Sequence, residues 1–372
     1  MNNEKIKECV KSVYIHIPFC NYICSYCDFC KMYYDENKID KYLNALREEI
    51  KNNYKGEVID TLYIGGGTPS SLNIKQLNKL FDILKVFKLN ENYEFTFECN
   101  IENIDEEKAK LLYNNHVNRI SIGVQTFNDN LLSKLGRNHK KIDVFNKINL
   151  LKKIPFENIN VDFIYALPGE KLSDVKSDIE NFLKLGINHI STYSLILEPN
   201  TIFGINNISS VSEEMDTKMY NYICDTLQHN GFKHYELSNF AKDGYESRHN
   251  LTYWNNLEYY GFGLGASGYI NGIRYTNTRS FKHYINNSNM RIEEYLLSEK
   301  EKMENEMILG LRKIEGVNKK NFKNKYNKNI EDVFNIKNLL KNKLLIDNGI
   351  NIYINPKYLY IQNSILINFI GG

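Results

Sequence analysis

Short runs of β-branched and aromatic residues recur over about the first 200 residues, and each is followed by a longer stretch with helical periodicity. The short runs predict strands, whereas the spacing of apolar residues in Ile39–Lys51 and Ile74–Val86 predicts amphipathic helices. Alternating strands and helices are typical of a parallel sheet. We therefore expect an α/β fold whose first part is a partial (β/α)6 TIM-type barrel, with an open, doubly wound sheet as the alternative. The expected strands lie at residues 13–17, 61–64, 94–97, 119–122, 160–164 and 189–193.

The pattern changes after the barrel domain, which we place at residues 1–205. Residues 206–294 are less regular and rich in glycine and aromatic residues, which indicates an extension of the barrel. A helical segment, Ser298–Leu311, then precedes a stretch rich in Lys and Asn and strand-like runs such as Ile352–Ile354. Helices followed by a small hairpin predict a mostly helical C-terminal domain at residues 295–372, with a winged-helix-like arrangement.

Polar and glycine-rich residues follow the predicted strands. Cys20 comes after the first strand, Gly65–Gly67 after the second, Glu98 after the third and Gly123–Gln125 after the fourth, while Asp162 lies in the fifth. Active sites of such barrels form where the carboxyl ends of the strands meet. These residues are therefore expected to converge on one face.

Composition excludes several classes of protein. Hydrophobic residues make up 42% and charged residues 25% of the 372 residues, as in folded globular proteins and unlike disordered chains. The net charge of +2 argues against a general nucleic-acid binder. A basic run at Lys319, Lys320, Lys323 and Lys325 is most simply a solvated face.

The cellular compartment is expected to be the reducing cytoplasm. The segment Met1–Cys9 is polar and lacks the apolar core of a signal peptide. No apolar run approaches the roughly 20 residues that span a bilayer, so we expect no stable membrane anchor. Clustered cysteines in such a compartment indicate metal or redox chemistry before disulfides.

Four of the seven cysteines are clustered, namely Cys20, Cys24, Cys27 and Cys30, whereas Cys9, Cys99 and Cys224 are scattered and expected to be structural. Thiolates bind soft metals and iron–sulfur clusters. A closed zinc site takes four ligands, and Cys30 could supply the fourth, but the usual distant ligand pair is missing. Three thiolates on a four-iron cluster leave one iron open. A cluster is favoured, with zinc and four metal-free thiols as alternatives.

The sequence HIPFCNYICSYCDF, His16–Phe29, resembles the signature of radical S-adenosylmethionine (SAM) proteins. More narrowly, it resembles the oxygen-independent coproporphyrinogen III oxidase-like family, which contains oxidases and heme chaperones. The resemblance extends from about residue 12 to 315. Its further motifs are GGGTPS at 65–70, SIGVQ at 121–125, LGRNH at 135–139, DFIYALPG at 162–169 and HNLTYW at 249–254.

This resemblance implies a [4Fe-4S] cluster held by Cys20, Cys24 and Cys27, with SAM chelating the open iron. Glycines between strand and helix suit that task, because their backbone can approach a ligand closely. One departure is Ile101, where family members usually have proline, and it weakens the expected role of Glu98. The SAM contacts that the resemblance implies are Tyr14, Tyr26, Gly66, Gly67, Thr68, Glu98, Gln125, Arg137 and Asp162.

A second glycine pattern, Gly263–Gly268, fits G-x-G-x-x-G. A dinucleotide site would need a following helix and an acidic residue about 20 positions on. A turn follows instead, and no Asp or Glu occurs between Gly268 and Arg291. We therefore expect glycines that allow close backbone packing.

Two features separate the family's chaperones from its oxidases. The oxidases carry an N-terminal extension and a fourth cysteine two positions after the third, whereas here about a dozen residues precede the first strand and Cys30 comes three positions after Cys27. In addition, the motif with His249, Tyr253 and Trp254 resembles a heme-binding motif of the chaperones. Imidazole is a common axial ligand of heme iron, and aromatic side chains can cover a porphyrin face. The alternative is a histidine that caps a loop beside core aromatic residues.

The resemblance thus implies a heme chaperone that delivers heme to an acceptor hemoprotein and receives electrons from a donor protein. Respiratory acceptors would bring it transiently to a membrane. The alternatives are a coproporphyrinogen III dehydrogenase, which decarboxylates propionate side chains, and radical chemistry on another tetrapyrrole or small molecule.

Overall fold

A computed structural model describes residues 9–371, so the N-terminal segment at 1–8, where we expect no signal peptide, lies outside the described residues. Strands alternate with helices through the first half of the chain. The strands are β1 (Ser12–Ile17), β2 (Phe19–Cys20), β3 (Met32–Tyr33), β4 (Val58–Gly66), β5 (Lys88–Asn100), β6 (Arg119–Gln125), β7 (Asn158–Tyr165), β8 (His189–Ser194), β9 (Lys233–Glu236), β10 (Asn239–Ala241), β11 (Tyr260–Phe262), β12 (Ser267–Ile270), β13 (Ile273–Asn277), β14 (Arg291–Leu296), β15 (Val317–Asn318), β16 (Leu345–Asp347) and β17 (Asn351–Ile354).

Most helices follow a strand and pack on the outside of the sheet. Short 3₁₀ turns lie at Pro69–Ser71, Ile101–Asn103, Pro356–Ile361 and Ile367–Phe369. The α-helices are α1 (Glu36–Asn53), α2 (Ile74–Leu84), α3 (Glu106–Asn114), α4 (Asp129–Lys134), α5 (Lys141–Leu151), α6 (Leu172–Leu185), α7 (Ile202–Ile205), α8 (Glu213–His229), α9 (Arg248–Trp254), α10 (Phe281–Asn286), α11 (Glu299–Gly310), α12 (Lys319–Tyr326), α13 (Ile330–Val333), α14 (Lys337–Lys341) and α15 (Gln362–Leu366).

The central sheet confirms the expected barrel order. Strands β1, β4, β5, β6, β7 and β8 are neighbours in chain order, and each pair is parallel. A doubly wound sheet would reverse its strand order at a switch point, and no reversal occurs here. All of the expected strands are present, each inside a slightly longer observed strand.

The two faces of the barrel strands differ in polarity. Side chains that face the helices are apolar and fully buried, for example Val13, Ile15 and Ile64. The alternate positions, such as Tyr63 and Glu98, are polar and turn to the interior of the barrel, because successive strand residues point to opposite faces. The interior of this barrel is therefore a polar lumen, unlike the layers of branched apolar residues that fill a closed TIM barrel.

Part of the irregular region at 206–294 joins the barrel sheet. Strand β11 pairs in parallel with β1 at one edge, and β10 pairs antiparallel with β8 at the other, followed by β9. Strands β12, β13 and β14 form a separate antiparallel sheet. The division at residue 205 stays a prediction, because the strands that follow it extend the same sheet.

The C-terminal part has the helices and hairpin that the sequence predicts. Helix α11 precedes β15, three short helices follow, and the hairpin β16–β17 closes a small sheet in the order β15-β17-β16. Ser298 caps α11, since its hydroxyl accepts from the backbone of Glu301 and the Glu301 carboxylate accepts from Ser298 N. This order of elements is that of a winged helix.

The structure explains the glycine pattern at Gly263–Gly268. A strand, β12, follows instead of a helix. Gly263 N donates to the carboxylate of Glu49 over 2.8 Å, and a Cβ at Gly263 would lie 2.5 Å from the hydroxyl of Tyr42. The glycine is therefore needed for close packing of this loop on α1, as expected, and the pattern is not a nucleotide site.

Glu49 provides a test of this packing through pH. It is buried and also accepts hydrogen bonds from Tyr284 and Asn277, yet burial raises the pKa of its carboxyl from 4.5 to about 7. The folded state therefore keeps the proton to a higher pH than the unfolded chain, and this stabilisation is lost as pH rises from about 4.5 to 7. Relative to Glu49→Gln, the wild type should lose about 3 kcal/mol of unfolding free energy across that window. Urea unfolding of both proteins at several pH values measures the difference.

The matched control is Glu48→Gln, which changes an exposed carboxylate on the same helix turn. It removes a carboxylate from this turn without changing the buried one. A pH-independent difference for Glu49→Gln would show that Glu49 is ionised in the folded state.

No helix within residues 9–371 is both long and apolar enough to cross a membrane.

Candidate functional site

The cysteine loop lies at the carboxyl end of β1, between the short strands β2 and β3. Cys20 ends β2 and is buried, whereas Cys24 and Cys27 are half-buried in the loop. Burial raises the pKa of the Cys20 thiol to about 11, and the nearby thiols of Cys27 and Cys24 add to this. Three neighbouring thiols are suited to a cationic metal centre, which would displace their protons.

No three His, Cys, Asp or Glu side chains of the described residues are arranged to bind a single metal ion. A four-iron cluster holds its thiolates farther apart than one zinc ion does. Cys30 stands apart from the three thiols, because its thiol interacts with Arg279 and its backbone oxygen with His16 Nε2, at 2.6 Å.

The glycines at the end of β4, Gly65–Gly67, form a glycine floor beside this loop. Gly66 has φ +118°, a conformation that favours glycine, and a Cβ there would lie 2.7 Å from the ring of His16. A Cβ at Gly67 would lie 2.9 Å from the sulfur of Cys20. Thr68 donates from its hydroxyl to the same sulfur over 3.5 Å. The backbone thus reaches the cysteine loop only because these side chains are absent.

Two half-buried carboxyls, those of Glu98 and Asp162, face the lumen below the loop. Glu98 accepts from Tyr63 Oη at 2.7 Å and from Gly66 N at 3.1 Å, while Asp162 accepts from Asn160 and Ser121 at 2.8 and 3.3 Å. Burial raises the pKa of Glu98 to about 7, and the charge of Asp162 adds to this. Burial also raises the pKa of Asp162. Both groups can therefore form hydrogen bonds with a ligand, and Glu98 can exchange a proton near neutral pH.

Arg137 comes to the other side of the cysteine loop. Its Nη1 donates to Cys24 Sγ over 3.7 Å, and its Nη2 donates to the backbone oxygen of Gly123 over 2.6 Å. Gln125 lies nearby with φ +72°, and a Cβ at Gly123 would lie 2.9 Å from its side-chain nitrogen. Arg137 and Gln125 thus share one corner of the site.

The two predicted tyrosines occupy different positions. Tyr14 Oη lies 2.9 Å from His16 Nδ1, and its ring centroid lies 6.0 Å from that of Tyr63. Tyr26 packs with a small apolar cluster that includes Leu131 and Leu135, close to Cys24. Both tyrosines are half-buried beside the cysteine loop and the lumen.

Asn100 links Thr68 to Arg137, and sequence reasoning did not identify it as a site residue. Its Nδ2 donates to Thr68 Oγ1, and its Oδ1 accepts from Arg137 Nη2, each over 3.1 Å. His16 and Glu102 were missed as well: His16 touches Tyr14, and Glu102 lies 3.7 Å from Arg137. Asn100 and Glu102 stand within four residues of Glu98, so the end of β5 was the available signal.

The predicted heme residues lie away from the cysteine loop. His249 is buried on α9, with Nδ1 2.8 Å from Thr61 Oγ1 and Nε2 2.8 Å from Tyr253 Oη. Burial lowers the pKa of His249 to about 3, so the ring is neutral. Trp254 is half-buried and lines a different space, a groove of about 1590 Å³ between α9 and the C-terminal domain.

Comparison with known proteins places this geometry in a family. Residues 14–182 match the Radical SAM superfamily and residues 297–357 match the HemN C-terminal domain. The chain is 45% identical to the heme chaperone HemW of Lactococcus lactis, over 96% of this chain and 97% of that protein. It is 41% identical to the heme chaperone HemW of Bacillus subtilis, over 97% and 100%. The chain belongs to the HemW family of radical SAM proteins.

A solved structure agrees with this placement at the level of the fold. The structure matches that of coproporphyrinogen III oxidase (HemN) from Escherichia coli, a radical SAM enzyme, with a TM-score of 0.86 and 21% sequence identity. The match covers 97% of this chain and 90% of the HemN chain. The HemW family thus shares its fold with HemN, including the barrel and the C-terminal domain, and the sequence-based prediction of fold and family is confirmed. The roles of the individual site residues stay predictions.

Proposed function

We propose that this protein binds heme and transfers it to acceptor hemoproteins, and that it holds a [4Fe-4S] cluster and SAM at the mouth of its barrel. The supporting observation is the 45% identity to a heme chaperone over nearly the whole length of both chains. Acceptors would include respiratory hemoproteins, reached from the cytoplasm by transient contact with a membrane. A low-potential donor protein would supply electrons.

Cys20, Cys24 and Cys27 are the proposed cluster ligands, and their mutual proximity supports this choice. When bound, the cluster supplies one electron at low potential. Thr68 would donate a hydrogen bond to the Cys20 thiolate, and Gly67 leaves the space beside it open. Ligand residues that carry such hydrogen bonds are held in fixed orientations.

SAM would lie between the glycine floor and the two carboxyls. Gly66, Gly67 and Thr68 would approach one side of it, next to Tyr14, while Tyr26, Gln125 and Arg137 would border the other. Glu98 and Asp162 would accept hydrogen bonds from its ribose or amino group.

Glu98 gives this SAM site a pH signature. Because the pKa of Glu98 is about 7, the accepting carboxylate becomes more populated as pH rises through 7. The affinity of the wild type for SAM, divided by that of Glu98→Gln, should therefore rise between pH 6 and 8, by up to about tenfold per unit below the pKa. Isothermal titration of both proteins measures this ratio. A constant ratio would mean that Glu98 does not accept a hydrogen bond from SAM.

Heme would contact His249, Tyr253 and Trp254. Iron binding requires His249 to give up the hydrogen bond between its Nε2 and Tyr253. Heme binding would therefore be accompanied by a local rearrangement of α9.

One experiment tests the chaperone and its main alternative together. Heme-loaded protein is mixed with an apo-hemoprotein, and transfer is followed by the Soret band against heme supplied on serum albumin. Cluster-reconstituted protein is separately incubated with coproporphyrinogen III, SAM and dithionite without oxygen. We expect faster transfer than from albumin and no protoporphyrinogen above background. Protoporphyrinogen formation would instead support the dehydrogenase, and transfer no faster than from albumin would contradict the chaperone.

A further inference from the structure

Arg137 is a buried cation that makes three hydrogen bonds within the protein. Its Nη2 donates to Gly123 O at 2.6 Å and to Asn100 Oδ1 at 3.1 Å, which leaves Nη2 no free hydrogen. Its Nη1 donates to Cys24 Sγ at 3.7 Å. Its Nε is buried and has no partner among the described residues. Both bidentate arrangements of arginine with a carboxylate need Nη2, so Arg137 can offer a ligand carboxylate only a single hydrogen bond.

A half-buried carboxylate, that of Glu102, lies beside the guanidinium. Glu102 Oε2 lies 3.7 Å from Arg137 Nη2, and Glu102 Oε1 lies 3.1 Å from His139 Nδ1. The second nitrogen of His139 lies 3.2 Å from the backbone oxygen of Val124, which anchors this chain of contacts to β6. Burial alone would raise the pKa of Glu102, but the hydrogen bond from His139 and the charge of Arg137 lower it to about 2. Glu102 is therefore a carboxylate at neutral pH.

We propose that Arg137 sets the reduction potential of the cluster by donating a hydrogen bond to the thiolate of Cys24, and that the negative charge of Glu102 beside it offsets part of this effect. The inference rests on the proposed cluster. The step concerned is the addition of one electron to [4Fe-4S]²⁺ to give [4Fe-4S]⁺, with no bond broken and no proton moved. A cation and an N–H donor beside a ligand sulfur stabilise the more negative, reduced state, because hydrogen bonds to the sulfurs and local charge tune such potentials.

Opposite changes of charge in this pair have opposite expected effects. Arg137→Met removes the cation and the donor, so the potential should become more negative. Glu102→Gln removes a negative charge while Gly123 and Asn100 still hold Arg137, so the potential should become more positive. A simple loss of packing would not move the two variants in opposite directions.

The measurement is an electron paramagnetic resonance redox titration of the reconstituted full-length protein with dithionite and without SAM. At a fixed potential, Arg137→Met should lower the ratio of reduced to oxidised cluster about tenfold, which is about 59 mV for one electron. Arg137→Lys keeps the charge but is shorter, and it should fall between Arg137→Met and the wild type. Matched controls are Lys110→Met and Glu106→Gln, an exposed ion pair on α3, which should leave the potential unchanged.

Leaving out SAM separates this role from carboxylate binding. If Arg137 acts only on SAM, both variants will keep the wild-type potential, and the proposal is overturned. Shifts of the same sign for Arg137→Met and Glu102→Gln would also overturn it. If Arg137→Met cannot hold a cluster, Glu102→Gln still decides through the sign of its shift. A wild-type protein that takes up no cluster under any condition would refute the proposed function itself.

Discussion

Cys27→Ala is expected to abolish the brown iron–sulfur chromophore, whereas Cys30→Ala should retain it. The thiols lie close together: those of Cys27 and Cys24 raise the pKa of Cys20, and that of Cys24 raises the pKa of Cys27, because an ionised thiolate would repel its neighbour. The Cys30 thiol interacts instead with Arg279, and a Cβ at Gly265 would lie 2.7 Å from its Cβ, so it packs against the glycine-rich loop. Two remaining ligands cannot replace the third thiolate, and the loss in Cys27→Ala should be complete.

Anaerobic reconstitution followed by iron and sulfide analysis measures this difference. The wild type and Cys30→Ala should each hold about four iron atoms per chain, as a four-iron cluster requires. Circular dichroism should show that both variants keep the fold. Retention of the cluster by Cys27→Ala, or its loss from Cys30→Ala, would show that Cys30 is a ligand in place of Cys27 or beside it.

The barrel could be predicted from sequence because its strands are local patterns. Apolar side chains at alternating positions, such as Val13 and Ile15, pack under helices and leave a clear signal along the chain. The strands after residue 205 gave a weaker signal because β9, β10 and β11 have only three or four residues each. Their pairing with β8 and β1 depends on contacts between distant parts of the chain, which periodicity does not report.

Site residues that are close in sequence could be predicted, whereas those brought together only by folding could not. The cysteine loop and the glycine floor are each contiguous, so their spacing carries the chemistry. Asn100 and Arg137 are 37 residues apart and meet only because β5 and β6 are neighbours. The ion pair of Arg137 with Glu102 has no sequence signature, since an acidic residue after a strand commonly serves only as a cap.

His249 illustrates the limit of a motif. The motif predicts an axial ligand of heme iron, whereas in the folded protein both imidazole nitrogens are occupied, by Thr61 and Tyr253. Its ring also lies 5.0 Å from that of Tyr63, whose hydroxyl donates to Glu98. Tyr63 therefore connects the predicted heme residue His249 with Glu98 of the predicted SAM site.

Tyr253→Phe is expected to bind heme more tightly than the wild type, whereas His249→Ala should lose the spectrum of a histidine-ligated heme. The phenylalanine keeps an aromatic ring on α9 but removes the hydroxyl that occupies His249 Nε2. A buried hydrogen bond is worth on the order of 1 kcal/mol, so freeing the nitrogen should raise the apparent affinity about fivefold. Heme titration with the Soret band measures the affinity, and near-infrared spectra report the axial ligand.

Thr61→Val is the matched control, because it removes the partner of Nδ1 and leaves the bond between Nε2 and Tyr253 in place. It should not raise heme affinity. If Tyr253→Phe weakens binding while His249→Ala leaves the spectrum unchanged, the iron is not held by His249, and the hydroxyl of Tyr253 becomes the better candidate. If all three variants bind as the wild type does, heme lies elsewhere, and the groove beside Trp254 is the next place to test, with Trp254→Ala as the variant.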